Sequence, residues 1–146
     1  MVASPEQLNS MVQYCLGFAE QMLSNAGEFY PFGAVLNAQG VVEAVGAYDG
    51  DEHPGSQDIY LLLVNGMRAR SNDGDIIGAA IAVDVNVPPQ FESPHPDGVR
   101  VTLEADGYSR YLYFPYEPAK KGLFRITGPK FAEPFAVETN PEIFVR

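Results

Sequence analysis

Apolar positions in the first part of the chain follow a helical period. From Leu8, the residues Met11, Val12, Cys15, Phe18, Ala19, Met22 and Leu23 recur every three or four positions, so they fall on one stripe of a helix. Ser4-Pro5-Glu6-Gln7 supplies its start: Ser4 is placed to accept the Gln7 amide, Pro5 occupies the first helical position, and Gln7 reaches back to close a capping box. The stripe runs out between Ser24 and Gly27, and the pattern then changes to small and β-branched residues on either side of Asn37-Ala38-Gln39-Gly40. That change predicts a hairpin of Gly33 to Leu36 with Val41 to Val45, because Asn and Gly supply the left-handed angles a tight turn needs. The stretch from Gly27 to Asp49 is therefore a pivot from helix to sheet, with Phe32, Val35 and Val45 expected inside and Asp49 outside.

A second helical period joins Ile59, Leu62, Leu63 and Met67, with Tyr60 and Val64 beside it; Ser56 is expected to cap this helix and Asp58 to sit in its first turn. Asn72 to Asp75 reads as a turn. Ile76 to Val87 is apolar on both faces before it begins to alternate, as a central strand covered on two sides would be. After the proline-rich stretch Pro88 to Gly98 comes the clearest hairpin, Val99 to Ala105 returning through Asp106-Gly107 to Tyr108 to Phe114. A two-residue turn there sets Val101 opposite Leu112 and Val99 opposite Phe114 on one face. The other face pairs Arg100 with Tyr113, Thr102 with Tyr111 and Glu104 with Ser109. Residues 128–146 show no period and are expected to wrap the core irregularly.

These elements predict an α+β fold in a single domain, 1–146: a mainly antiparallel five-stranded sheet with helices packed on it, in the order α-β-β-α-β-β-β. Cys15 is the only cysteine, so an intrachain disulfide and a cysteine-rich zinc site are excluded. No apolar run reaches the roughly 20 residues of a membrane span, and MVASPEQLNS lacks a basic region followed by an apolar run; a cytoplasmic protein is expected. Charge divides the chain unevenly. Eight acids and no Lys or Arg precede Arg68, whereas the remaining eleven acids share their part with all nine bases. A net charge of −10 disfavours nucleic acid and favours a basic protein partner.

Three sets of residues carry the candidate chemistry. Asp49, Asp51, Glu52 and His53 lie in one acidic loop that could face a basic partner or, alternatively, ligate a metal for hydrolysis; the spacing matches neither an EF-hand nor an HExxH helix. Arg100 beside Tyr111 and Tyr113 forms an amphipathic sheet face that either lies beneath a helix or makes cross-strand cation–π pairs, or else serves recognition, its residue types being common at interface hot spots. Tyr30, Phe32 and Phe91 could line a small-ligand pocket, although Tyr30 and Phe32 read first as anchors of the first helix, since large aromatics are mostly placed to bury area. Both His residues neighbour proline, and no Gly-x-Ser-x-Gly, phosphate loop or dinucleotide fingerprint is present. No catalytic residue and no cofactor is assigned.

The element order resembles the profilin-like and Roadblock class of α/β folds, which implies an antiparallel five-stranded sheet with helices on its faces. Separately, GEFYPFGAVL from Gly27, the Gly40 turn, the Val99 to Glu104 strand and LYFPY from Leu112 to Tyr116 resemble small, functionally uncharacterised bacterial proteins. Some relatives in such families look like immunity proteins, acidic single-domain inhibitors of toxins. The expected function is thus a non-enzymatic protein-interaction domain, with a metal-binding protein or metal-dependent hydrolase and a small-ligand sensor as alternatives.

Overall fold

The computed structural model describes residues 2–47, 50, 55–122 and 126–145. Helix α1 spans Pro5–Ala26, and both halves of the capping box form: Ser4 Oγ accepts the Gln7 amide at 3.1 Å and Gln7 Oε1 accepts the Ser4 amide at 2.9 Å. Gly27 ends the helix with φ 77°, a left-handed conformation glycine adopts without Cβ strain, and its N–H donates to the Leu23 carbonyl. Strands β1 (Phe32–Asn37) and β2 (Val42–Val45) follow, joined through Asn37, whose side-chain oxygen accepts the Gln39 and Val41 amides. Then come α2 (Ser56–Asn72), β3 (Ile76–Asn86), a single 3-10 turn at Pro89–Phe91, β4 (Asp97–Ala105) and β5 (Tyr108–Glu117). Four short strands complete the set: β6 (Lys120–Lys121), β7 (Ile126–Thr127), β8 (Lys130–Phe131) and β9 (Phe135–Glu138).

The fold is α+β. One curled antiparallel sheet runs β2-β1-β3-β4-β5, and β8 and β9 both add to the outer edge of β5; β6 and β7 form a separate ribbon. The hairpin register is the one its Asp-Gly turn implies, with Val101 opposite Leu112 and Arg100 opposite Tyr113. The tail corrects the sequence reading. Residues after 128 are not simply irregular: they give the sheet two more strands and bury Ile143 and Phe144. Their pairing partners lie far back in the sequence, so no local period announces them.

The two helices cover opposite faces of the sheet. Alternation divides β3 between them: Ala80 and Ala82 join Met11, Val12, Cys15, Ala19 and Leu23 under α1, while Ala79, Ile81 and Val83 join Ile59, Leu63, Val64 and Met67 under α2. The small residues of β1 and β3 let both helices approach closely. A Cβ on Gly33 would stand 2.6 Å from both the Ala80 carbonyl oxygen and Met67 Cε, so the chain tolerates only glycine at that crossing without rearrangement. Burial pushes the Cys15 thiol up to about 12, as expected of a structural cysteine in this stripe.

Several local expectations are revised. Gly55, with no side-chain cap, precedes α2, and Ser56 is its first helical residue; Asp58 does lie in the first turn. Leu62 is exposed because the buried stripe of α2 follows the Ile59-Leu63-Met67 and Tyr60-Val64-Ser71 rows, on the other side of the helix. Phe18 is likewise exposed at the margin of the α1 stripe, stacked on Tyr14 and edge-on to Phe32. Val35 is fully buried; Phe32 and Val45 are half-buried. No described helix is long and apolar enough to cross a membrane.

Candidate functional site

On β4 and β5 the two faces of the sheet differ in kind. Toward α1 point Val99, Val101, Leu103, Leu112 and Phe114; toward the other side point Arg100, Thr102, Glu104, Tyr111 and Tyr113. A strand buried on that second side must satisfy every polar group there, and α2 brings Tyr60 to it. The remaining cover is the chain after β9.

Glu104 fixes that cover. Its side chain is fully buried, and its carboxylate accepts the main-chain N–H groups of Glu142 (2.9 Å), Ile143 (2.9 Å) and Phe144 (3.1 Å). An irregular segment brings bare amides into the core, and a buried carboxylate with several acceptor sites is a direct answer to them. Arg68 of α2 donates through Nε to the Glu142 carbonyl at 2.8 Å, and Ser109 and Thr139 join hydroxyl to hydroxyl at 3.0 Å. Glu142 Oε1 in turn accepts from both the Tyr60 and Tyr111 hydroxyls at 3.0 Å, and the Tyr60 oxygen also meets Thr102 Oγ1 at 3.0 Å. Burial raises both tyrosines above the ordinary phenol range, so each stays a neutral donor.

Arg100 lies between those two rings. Its guanidinium carbon is 4.4 Å from the Tyr111 ring centre and 5.2 Å from that of Tyr60, a double cation–π arrangement. Both rings lie within cation–π distance of the guanidinium carbon. Nε is buried with no acceptor, and among the described arginines Arg100 alone makes neither hydrogen bond nor ion pair. In a chain with 19 acids and nine bases this is unexpected. Across the strand Tyr113 stacks on Phe135 at 5.1 Å, and Phe91 packs against both rings, at 5.4 and 5.3 Å.

The predicted residues are thus partly regrouped. Arg100, Tyr111 and Tyr113 do share one face, but Tyr113 is buried under Phe91 and Phe135, and Arg100 and Tyr111 are half-buried rather than open. Phe91 joins this face and not Tyr30 or Phe32, so the three-residue pocket is not assembled. Phe32 packs with Phe29 and Phe18 on the α1 side, as an anchor does, while Tyr30 is 52% exposed at the mouth of a separate cleft with Glu28 and Asp84. Asp49, Asp51, Glu52 and His53 lie outside the described residues. Sequence reasoning missed Tyr60, Glu104 and Glu142; the strand alternation already set Glu104 beside Arg100, but nothing local indicated what would cover it.

A second polar cluster stands at the far end of the sheet, where Tyr116 donates to Asp84 Oδ1 at 2.7 Å beside Glu28 and Asp97. Burial raises the Asp84 carboxyl, the Tyr116 hydrogen bond opposes this, and the neighbouring charges of Asp97 and Glu28 raise it further. Among the described residues no three His, Cys, Asp or Glu side chains are grouped to hold a metal ion. Scans against protein-family models, curated proteins and solved structures found no match to the chain.

Proposed function

We propose that this chain is a non-enzymatic recognition domain that reads a carboxylate on a protein partner through Arg100. The observation that carries the reading is the unpaired guanidinium held between Tyr60 and Tyr111 in a chain rich in acids. Stacking contributes on the order of 0.5–2 kcal/mol, whereas a buried donor left without an acceptor costs about 1–3 kcal/mol. An incoming carboxylate pairs with the terminal nitrogens, the part of the half-buried guanidinium that stays accessible. It approaches edge-on, the geometry in which Arg and carboxylate pair through two parallel hydrogen bonds. Glu142 stands close by and the chain carries −10, so a monoanion fits better than a phosphate dianion. The rings of Phe91 and Phe135 extend the same face and favour an apolar or aromatic residue next to the acid. The net charge draws a partner that is basic overall, as an immunity-protein-like inhibitor would meet.

N-acetylphenylalanine presents this combination in its smallest form. The intact protein should bind it, and the uncharged amide of the same molecule should bind about tenfold more weakly or worse, the loss of one charge-assisted pair. Arg100→Lys keeps the charge but lacks the fork and should lose most of the affinity. Equal binding of acid and amide, or unchanged binding by the Arg100→Lys variant, would refute the assignment.

A further inference from the structure

Glu142 and Arg100 carry opposite charges and share both tyrosines, yet the ion pairs among the described residues join Arg70, Arg110 and Lys120 to other acids. The main chain of Glu142 is fixed from two sides: its N–H donates to Glu104 Oε2 at 2.9 Å, and its carbonyl accepts from Arg68 Nε at 2.8 Å. What remains free to choose a partner is the side chain. Its Oε1 takes the Tyr60 and Tyr111 hydroxyls, each at 3.0 Å, and those hydroxyls belong to the rings against which the Arg100 guanidinium lies. A carboxylate and a guanidinium thus stand half-buried in one network, where opposite charges attract more strongly than in open water. The carboxylate binds the hydroxyls instead.

We infer that the Tyr60 and Tyr111 hydroxyls hold the chain's own Glu142 carboxylate off Arg100, and that Glu142 closes the site from within when they release it. The inference rests on the reading of Arg100 as a carboxylate site and adds its regulation: the competitor of a partner's carboxylate is one that the tail supplies in cis. Tethered beside Arg100, Glu142 competes at high effective concentration, so without the two hydroxyls the open form becomes the minor one. Burial keeps both phenols protonated, and therefore donors. Each hydroxyl can be removed with its ring, and hence its cation–π contact, left in place.

The test uses the full chain and the Arg100 Nε–Hε resonance, identified by its loss in Arg100→Lys. In the double variant Tyr60→Phe/Tyr111→Phe, with no ligand added, this resonance should move from its parental position, and adding Glu142→Gln should bring it back. Affinity for N-acetylphenylalanine should fall about tenfold in the double variant, as when the open form is about a tenth of the population, and return to the parental value or better in the triple variant. Hydroxyls with a merely structural role would not be rescued by Glu142→Gln. If the double variant fails to fold, Tyr111→Phe alone, at a half-buried position, should show the same changes in smaller degree. A resonance that stays in place without the hydroxyls, or a shift that Glu142→Gln leaves uncorrected, overturns the inference whether or not the acid binds. A ligand-free shift that is rescued, in a chain that binds acid and amide alike, would instead overturn the carboxylate reading and leave the internal competitor standing.

Discussion

The two faces of β4 and β5 are covered by different means, and the contrast explains most of what is unusual in the molecule. On one face a helix does the covering. Its backbone hydrogen bonds are internal, so it presents only side chains, and Val99, Val101 and Leu103 meet them with apolar surface. On the other face the cover is the non-helical segment after Thr139, which arrives with unpaired amides. The sheet answers with a carboxylate, a tyrosine and a threonine, α2 adds Tyr60, and within that polar setting one guanidinium is left without an acceptor. Polar composition on a buried strand thus marks where an irregular segment docks, and the unpaired member is where we propose that a partner's carboxylate binds.

The largest effect should come from removing the carboxylate. Glu104→Ala would strand three main-chain donors and detach Ile143 and Phe144, at a cost of about 3–5 kcal/mol in denaturant unfolding; Glu104→Gln, which retains one acceptor oxygen, should fall between. A loss under about 1 kcal/mol would mean that the tail is held by apolar burial alone. Next come the two glycines that sit under the helices. Gly33→Ala meets a backbone carbonyl on the α2 side and should cost about 2–3 kcal/mol; Gly78→Ala meets Met11 Cε at 3.0 Å and Leu8 Cδ2 at 3.3 Å, side-chain ends able to shift, with Leu36 Cβ at an ordinary 3.4 Å, and should cost about 1 kcal/mol. Equal penalties would show that the two crossings are equally rigid.

How much of this could be read beforehand follows from sequence distance. The capping box of Ser4 and Gln7, the Gly27 stop and the Asp106-Gly107 register are all decided within a few residues, and each appears in the structure as the sequence implies. The exposed Leu62 shows where periodicity misleads: a run of six apolar residues, Ile59 to Val64, fits more than one stripe, and only packing chooses. The Arg100 face was legible as a face but not as a cage. Tyr60 comes from 40 residues before Arg100 and Glu142 from 42 residues after it, and neither position carries a local signal.

Two smaller effects complete the series. Ser4→Ala should cost about 1 kcal/mol by removing a cap, measurable by thermal unfolding. Asp84→Asn keeps an oxygen for Tyr116 and removes a charge that burial and its acidic neighbours disfavour. The Asp84 pKa is raised in the folded state, so ionisation weakens the fold as pH rises above the ordinary 3.8. The variant should therefore melt higher than the parent at pH 7, and the difference should vanish as pH falls below that value. A variant that melts lower at pH 7 would contradict the sign.

If Arg100 takes a partner's carboxylate, its side-chain Nε–Hε resonance reports on that directly. Titrating the isotopically labelled protein with N-acetylphenylalanine should shift this resonance saturably, while the amide of the same molecule leaves it in place. A resonance that does not move with the acid, or moves equally with the amide, would contradict the account.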